Sequence, residues 1–170
     1  MIQRADRDPA PAGSRRARAR PWRLRRGTAL LFAVALALRV AYALVATGPH
    51  ATPSSDAVSY DTVAWNLARG AGFDLDGAGG PYPTAFVPPV LPFAVSLVYR
   101  ALGHRFFAAI LLQCLLGACV PLLLAAFGTV LFGSRVAGTA AWLAAVHPLL
   151  VFFSGYLLTE TAFCVTLLIA

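Results

Sequence analysis

The sequence contains no lysine, so fourteen arginines carry all of its side-chain positive charge apart from histidine. Acidic residues are also few, seven in total, and charged residues make up only 12% of the chain. Hydrophobic residues reach 59%, and the mean hydropathy is +0.71. This composition excludes an ordinary soluble domain and indicates an integral membrane protein.

Cysteine and histidine are scarce, with three of each, and none of them stands at the spacing of a metal site. The cysteines fall inside apolar runs, which predicts small core residues: Cys114, Cys119 and Cys164. His147 is predicted to be a satisfied core histidine for the same reason. The residues therefore imply no zinc, haem or other cofactor.

Nine of the fourteen arginines lie in residues 1–26, directly before the first apolar run. By the positive-inside rule, this basic tail is predicted to be cytoplasmic, and attraction to anionic lipid is a secondary interpretation. It lacks apolar periodicity and contains several prolines, which is typical of a disordered segment. Nucleic-acid binding is the weaker interpretation of the same charge, and we expect no nucleic-acid partner.

Apolar runs predict an all-α, polytopic membrane protein. The predicted spans cover residues 28–47, 106–131, 136–153 and 157–170, and the domain they form covers 27–170. The first run is about 20 residues, enough to cross about 30 Å of hydrocarbon. A cleavable signal peptide ending near Val45-Ala46 is the alternative for this run. Arg39 argues against it, because it interrupts the run and is followed by more apolar sequence.

Residues 48–104 form a predicted external loop that carries juxtamembrane helices. One helix begins near Asp56, after a Pro-Ser-Ser start signal, and stops at Gly70. A second, Pro88–Gly103, is too short to cross and is predicted to be interfacial or re-entrant. If it did cross, the side of every later segment would invert. The Asp74-Leu75-Asp76 triplet resembles a metal-binding motif, but its glycine neighbours favour a solvated turn.

Four residues are candidates for function. Asp56 shares a helix face with Tyr60, whereas Asp61 lies about 100° further round and is expected to point away. A plain helix cap is the alternative role for Asp56. Arg39 and Glu160 are ionisable groups within predicted spans, and such groups are functional candidates by default. Snorkelling is the alternative for Arg39, and capping of its helix is the alternative for Glu160.

The ordered set of these residues resembles the bacterial polyprenol-phosphate-dependent glycosyltransferases of the membrane C-type fold, related to glycosyltransferase family 39 and the protein mannosyltransferases. The matching positions before residue 80 are Arg39-Val-Ala-Tyr42, Asp56, Tyr60, Ala64, Asn66, Leu67, Gly70, Gly72 and Phe73. Those after it are Pro88-Pro89-x-x-Pro92, Leu131-Phe-Gly133-x-Arg135, His147-Pro148 and Leu158-Thr159-Glu160. The basic residue that the family often carries before its Pro-Pro is missing, because Ala85, Phe86 and Val87 stand there.

The resemblance implies inverting transfer of a sugar from a polyprenyl-phosphate donor to an acceptor hydroxyl on the outer face of the cell membrane. By carry-over, Asp56 is the catalytic base, and Arg39, Tyr60 and Glu160 bind substrate. The implied partners are the lipid-linked donor, membrane lipids and an acceptor that is lipid, polysaccharide or protein. The resemblance leaves a divalent metal open.

The last apolar run stops at Ala170, so we expect the chain to be the N-terminal part of a longer multi-pass protein of the cell envelope, inactive alone. A membrane transporter or lipid flippase subunit is the alternative function, since such proteins also place Arg and Glu within spans. A non-catalytic assembly subunit is the third interpretation.

Overall fold

The computed structural model describes residues 26–77 and 80–170, and within them it is an all-α protein with one small hairpin. The predicted tail, residues 1–26, lies outside the described residues except for Arg26, where the first helix begins. The helices are α1 Arg26–Ala46, α2 Asp56–Ala68, α3 Val90–Leu102, α4 Phe106–Phe132, α5 Ser134–Val146, α6 Pro148–Ser154 and α7 Thr159–Ile169. The strands are β1 Asp74–Gly77 and β2 Gly80–Pro83.

Two helices, α1 and α4, are long and apolar enough to cross a membrane. They begin and end within two residues of the runs predicted from sequence. At 1.5 Å per residue they reach about 30 Å and about 40 Å, the scale of a bilayer core. Many of their large apolar side chains, such as Leu44 and Val130, are exposed in the folded chain, as lipid-facing residues are.

The third predicted span is a bent pair of helices. α5 and α6 meet at an angle of 54°, and together they qualify as a third membrane-crossing unit. Pro148 explains the break, because it lacks an N–H and restricts the residue before it to extended backbone. His147 has that conformation, with φ −63° and ψ 123°. It is also exposed, so its assignment as a core histidine is wrong.

α4 is the central helix, since α1, α5, α6 and α7 all pack against it. Small residues line its contacts and let the helix backbones approach closely: Ala35, Ala118, Ala125, Ala141 and Ala145. At one end of the bundle the Thr47 hydroxyl donates to the Gly155 carbonyl, and Gln113 donates to the carbonyls of Tyr156 and Leu158. The end of α1, the start of α4 and the end of α6 therefore lie on one side.

The segment between α1 and α4 folds into a smaller layer in which α2 packs on α3 and on β1. α3 has 13 residues, about 20 Å of helix, which is too short to cross by itself. The solvated turn predicted at Asp74-Leu75-Asp76 is wrong. These residues form strand β1, which pairs antiparallel with β2 in a register that places Asp74 opposite Pro83 and Leu75 opposite Tyr82.

Candidate functional site

Asp56 is the first residue of α2, ten residues after α1 ends, and its side chain is exposed. The capping position belongs to Ser55, whose side chain makes no capping hydrogen bond. Among residues 26–77 and 80–170, no hydrogen bond or ion pair engages the Asp56 carboxylate. It is therefore a free acid in the positive first turn of a helix, not the helix cap that the alternative interpretation required.

The backbone immediately before this acid is strained. Ser55 has φ +52°, and within the described chain it is the one residue other than glycine with positive φ. Such a conformation costs about 1–3 kcal/mol and persists only when surrounding structure imposes it. Strain of this kind concentrates at functional sites, so the observation marks the start of α2 as a place where geometry outweighs stability.

Tyr60 lies one helical turn after Asp56 and is half-buried against the core between α2 and α3. A spacing of four residues puts both side chains on the same face of the helix. The structure thus keeps the predicted proximity of these two residues along α2. Their face borders the packed face and does not coincide with it.

Asp61 corrects the sequence-based expectation, since it points into the protein and is only 5% exposed. Its carboxylate accepts a hydrogen bond from the Tyr99 hydroxyl of α3, and His104 Nε2 lies 2.8 Å from its other oxygen. The Trp65 ring stacks on the His104 ring at a centroid distance of 4.7 Å. We call Asp61, Trp65, Tyr99 and His104 the Asp61 cluster. It fastens α2 to α3 and to the loop before α4.

Burial raises the pKa of the Tyr99 phenol, and the hydrogen bond to Asp61 raises it further. The phenol therefore stays protonated and keeps donating over the whole physiological range. A buried carboxylate is tolerated only when its acceptor sites are satisfied, and Tyr99 and His104 satisfy one oxygen each. The Asp61 cluster thus holds a fixed geometry without any ligand.

Sequence reasoning missed Asp61 because it followed the bulky residues of α2. The signal lay in the small residues, since Ala57 and Ala64 flank Asp61 at helical spacing and all three are buried. Such a stripe of alanine around an acid indicates close helix packing with a polar partner across the interface. Tyr99 is 38 residues away along the chain, so no local pattern could have named it.

Asn66, also fully buried, joins α2 to the hairpin. Its Nδ2 donates to the Asp74 carbonyl at 2.9 Å and to an Asp76 carboxylate oxygen at 3.1 Å, while Arg69 donates to its side-chain oxygen. Gly72, with φ +117°, makes the turn between them, and a Cβ there would lie 2.8 Å from the Asp74 carboxylate. The Asn-Leu-x-x-Gly-x-Gly-Phe pattern therefore has a structural role, the anchoring of this hairpin.

Arg39 lies inside the bundle with 0% exposure. Its Nη1 donates to the carbonyl of Ala35, one turn earlier in α1, and to that of Ala145 near the end of α5. The break at Pro148 frees the Ala145 carbonyl, because the interrupted helix supplies no donor for it. The snorkelling expected as the alternative for Arg39 is not what the structure shows, since its guanidinium turns inward.

Arg39 and Glu160 line the same cavity of about 340 Å³, bounded by α1, α4, α6 and α7. Glu160 is exposed in the first turn of α7, and no ion pair joins it to Arg39 within the described chain. The structure thus brings two predicted site residues to one cavity, while Asp56 and Tyr60 lie in the smaller layer. Residues 26–77 and 80–170 bring no three metal-ligating side chains together.

Comparison of the chain with family models, curated proteins and solved structures finds no match.

Proposed function

We propose that this chain carries the donor-proximal part of a multi-pass membrane enzyme that transfers a sugar from a polyprenyl-phosphate donor to an acceptor hydroxyl on the outer face. The observation that carries the proposal is Asp56, an exposed carboxylate without a structural partner at the head of the first helix after α1. A lipid-linked sugar presents its reacting carbon near the headgroups, so a base for this reaction must lie beside a span.

In the proposed reaction, Asp56 accepts the proton of the acceptor hydroxyl as its oxygen attacks the anomeric carbon. The bond between that carbon and the donor phosphate breaks, and the polyprenyl phosphate leaves with the bonding electrons. Attack from the face opposite the phosphate inverts the configuration. Asp56 is thus the catalytic residue of the proposal, and Tyr60 on the same face is placed to hydrogen-bond the sugar or the acceptor.

The remaining predicted binding residues are assigned by charge. Arg39 supplies a buried cation, and Glu160 supplies an exposed acceptor for sugar hydroxyls at the same cavity. The basic N-terminal tail places the start of α1 in the cytoplasm by the positive-inside rule, so the side that carries Asp56 is outside. The implied location is the cell membrane, with the N-terminus cytoplasmic.

The decisive test is Asp56→Asn in the natural gene product, assayed in native membranes with a synthetic polyprenyl-phosphate sugar. The amide retains the size and the polar character of the side chain but cannot take the proton, so we expect transfer to fall by about 10² to 10⁴. Protein yield should not change, because no partner is lost. Asp74→Asn is the matched control, since Asp74 lies in the hairpin and uses its backbone carbonyl to hold Asn66.

Near-normal transfer by Asp56→Asn, or an equal loss in Asp74→Asn, would remove Asp56 from catalysis. Asp61→Asn cannot serve as the control, because it would disturb the contacts with Tyr99 and His104. The cavity among the spans favours a second candidate, a lipid transporter or flippase. That function is supported if Asp56→Asn is silent while Arg39→Gln stops movement of a labelled lipid between leaflets.

A further inference from the structure

The cavity beside Arg39 has an unused cationic edge. A guanidinium has five N–H bonds, and Nη1 spends its two on the carbonyls of Ala35 and Ala145, at 2.9 and 3.0 Å. Nε and Nη2 have no partner among the described residues, although the side chain is completely buried. Three charged donors are therefore left without an acceptor.

Such an arrangement is unfavourable unless something fills it, because a buried charged donor without an acceptor loses its hydration and gains nothing in return. Glu160 does not fill it, since no ion pair forms between the two residues. The adjacent cavity is large enough to admit a ligand group together with water. The acceptor for these donors must therefore enter the cavity.

The edge has a specific shape. Nε–H and the nearer Nη2–H run parallel along one side of the guanidinium, which is the fork that binds two oxygens of a phosphate or carboxylate. Gly117 of α4 lines the cavity beside this fork, and a Cβ there would lie 2.9 Å from Nε. Glycine at this position keeps the approach to the fork open.

The rest of the lining is mainly apolar and includes Leu150, Phe153 and Phe163. A free inorganic ion would gain nothing from these side chains, whereas a hydrocarbon chain would bury apolar surface against them. The exposed carboxylate of Glu160 disfavours a second negative group nearby and suits hydroxyls. The lining therefore fits an amphiphile with one anionic head.

We propose that the Arg39 cavity binds the phosphate group of a membrane lipid, with Nε and Nη2 of Arg39 donating to two phosphate oxygens. The phosphate site follows from the geometry of the cavity alone. The choice of a polyprenyl chain rests on the proposed function, and phosphatidic acid presents the same head chemistry.

The test is equilibrium binding of radiolabelled polyprenyl phosphate to the purified natural protein in detergent. We expect saturable binding that unlabelled polyprenyl phosphate displaces and uncharged polyprenol does not. Arg39→Gln should weaken it by about 10- to 100-fold, because bonds to charged groups are lost. Arg39→Lys should recover only part, since it restores charge without the fork. Arg100→Gln, an exposed arginine of α3 on the same side, should bind normally.

A second measurement leaves Arg39 intact, in case its variants fail to fold. Cys164 lines the cavity and is half-buried, so in a protein with Cys114 and Cys119 replaced by alanine its alkylation reports occupancy. Polyprenyl phosphate should slow this alkylation by about tenfold, the protection expected at ten times the dissociation constant. Inorganic phosphate and polyprenol should give little protection.

Protection by polyprenol equal to that by polyprenyl phosphate, or binding unchanged in Arg39→Gln, would overturn the inference and leave the donors to water. Equal binding of phosphatidic acid would support the phosphate site and count against a sugar-donor role. Because these assays detect binding, the two proposals fail separately. Asp56→Asn should bind lipid normally whether or not transfer occurs.

Discussion

At the scale of single residues, the bond from Tyr99 to Asp61 is the contact most sensitive to substitution. Tyr99→Phe removes the hydroxyl and leaves a carboxylate that is 5% exposed with His104 alone. We expect a loss of about 1.5–3 kcal/mol in unfolding free energy, the range for a hydrogen bond to a charged group. Thermal unfolding in detergent measures it, with Tyr82→Phe as control, since Tyr82 is half exposed in β2. Equal effects of the two variants would contradict the assignment.

The same hydroxyl gives a pH dependence whose sign is fixed. The pKa of Tyr99 is raised in the folded protein, so above about pH 10 the unfolded chain releases a proton that the folded chain keeps. The stabilisation is complete below that pH and declines as the pH rises toward the folded value, by about 1.4 kcal/mol per unit from this group. The stability difference between wild type and Tyr99→Phe should therefore shrink above pH 10. A constant difference up to pH 11 would show that the phenol is not held in its protonated form.

At the scale of helices, Gly117 and Gly138 make opposite predictions. A methyl group at Gly117 would lie 2.1 Å from the Ser154 hydroxyl as well as 2.9 Å from Arg39 Nε, so α4 and α6 would have to separate. Gly117→Ala should lower stability by about 1–3 kcal/mol through overpacking. At Gly138, in α5, nothing lies within 4 Å of such a methyl group. Gly138→Ala should raise stability by up to about 1 kcal/mol through helix propensity alone.

Thermal unfolding of both variants in the same detergent compares them directly. A stabilised Gly117→Ala would mean that α4 and α6 pack less closely than the structure shows. The two substitutions are chemically identical, so their difference isolates the contact from the propensity.

How far the sequence predicts each element depends on where its signal lies. Apolar length sets α1 and α4, and the proline sets the bend after α5, because these signals are local. The hairpin was hidden, because Asp74 and Asp76 are poor strand residues and Asn66 holds them by contacts that no pattern displays. Among the candidate residues, Asp56 and Tyr60 could be placed on their helix. The partners of Asp61 and Arg39 could not, since they lie 38 and 106 residues away.

At the scale of the whole molecule, the sidedness of the bundle can be measured. The contact between Thr47 and Gly155 and the antiparallel course of α4 place Asp56 and Glu160 on one side and Arg135 on the other. Single cysteines at these three positions, in a background without native cysteine, should divide accordingly. An impermeant maleimide applied outside intact cells should label positions 56 and 160 only. Labelling of position 135 alone would reverse the orientation, and labelling of all three would contradict the bundle.

The distance along the chain between Arg39 and Ala145 also sets an order of events during synthesis. A bare arginine at mid-membrane disfavours insertion of its helix by about 2.5–3.5 kcal/mol, and the apolar residues of α1 must outweigh this before any partner exists. The carbonyl that finally accepts from Arg39 is made 106 residues later, which at cellular translation speeds is about 5–20 s. For that interval α1 is an incompletely satisfied guest of the insertion machinery, and its release into lipid waits for a helix that the ribosome has yet to make.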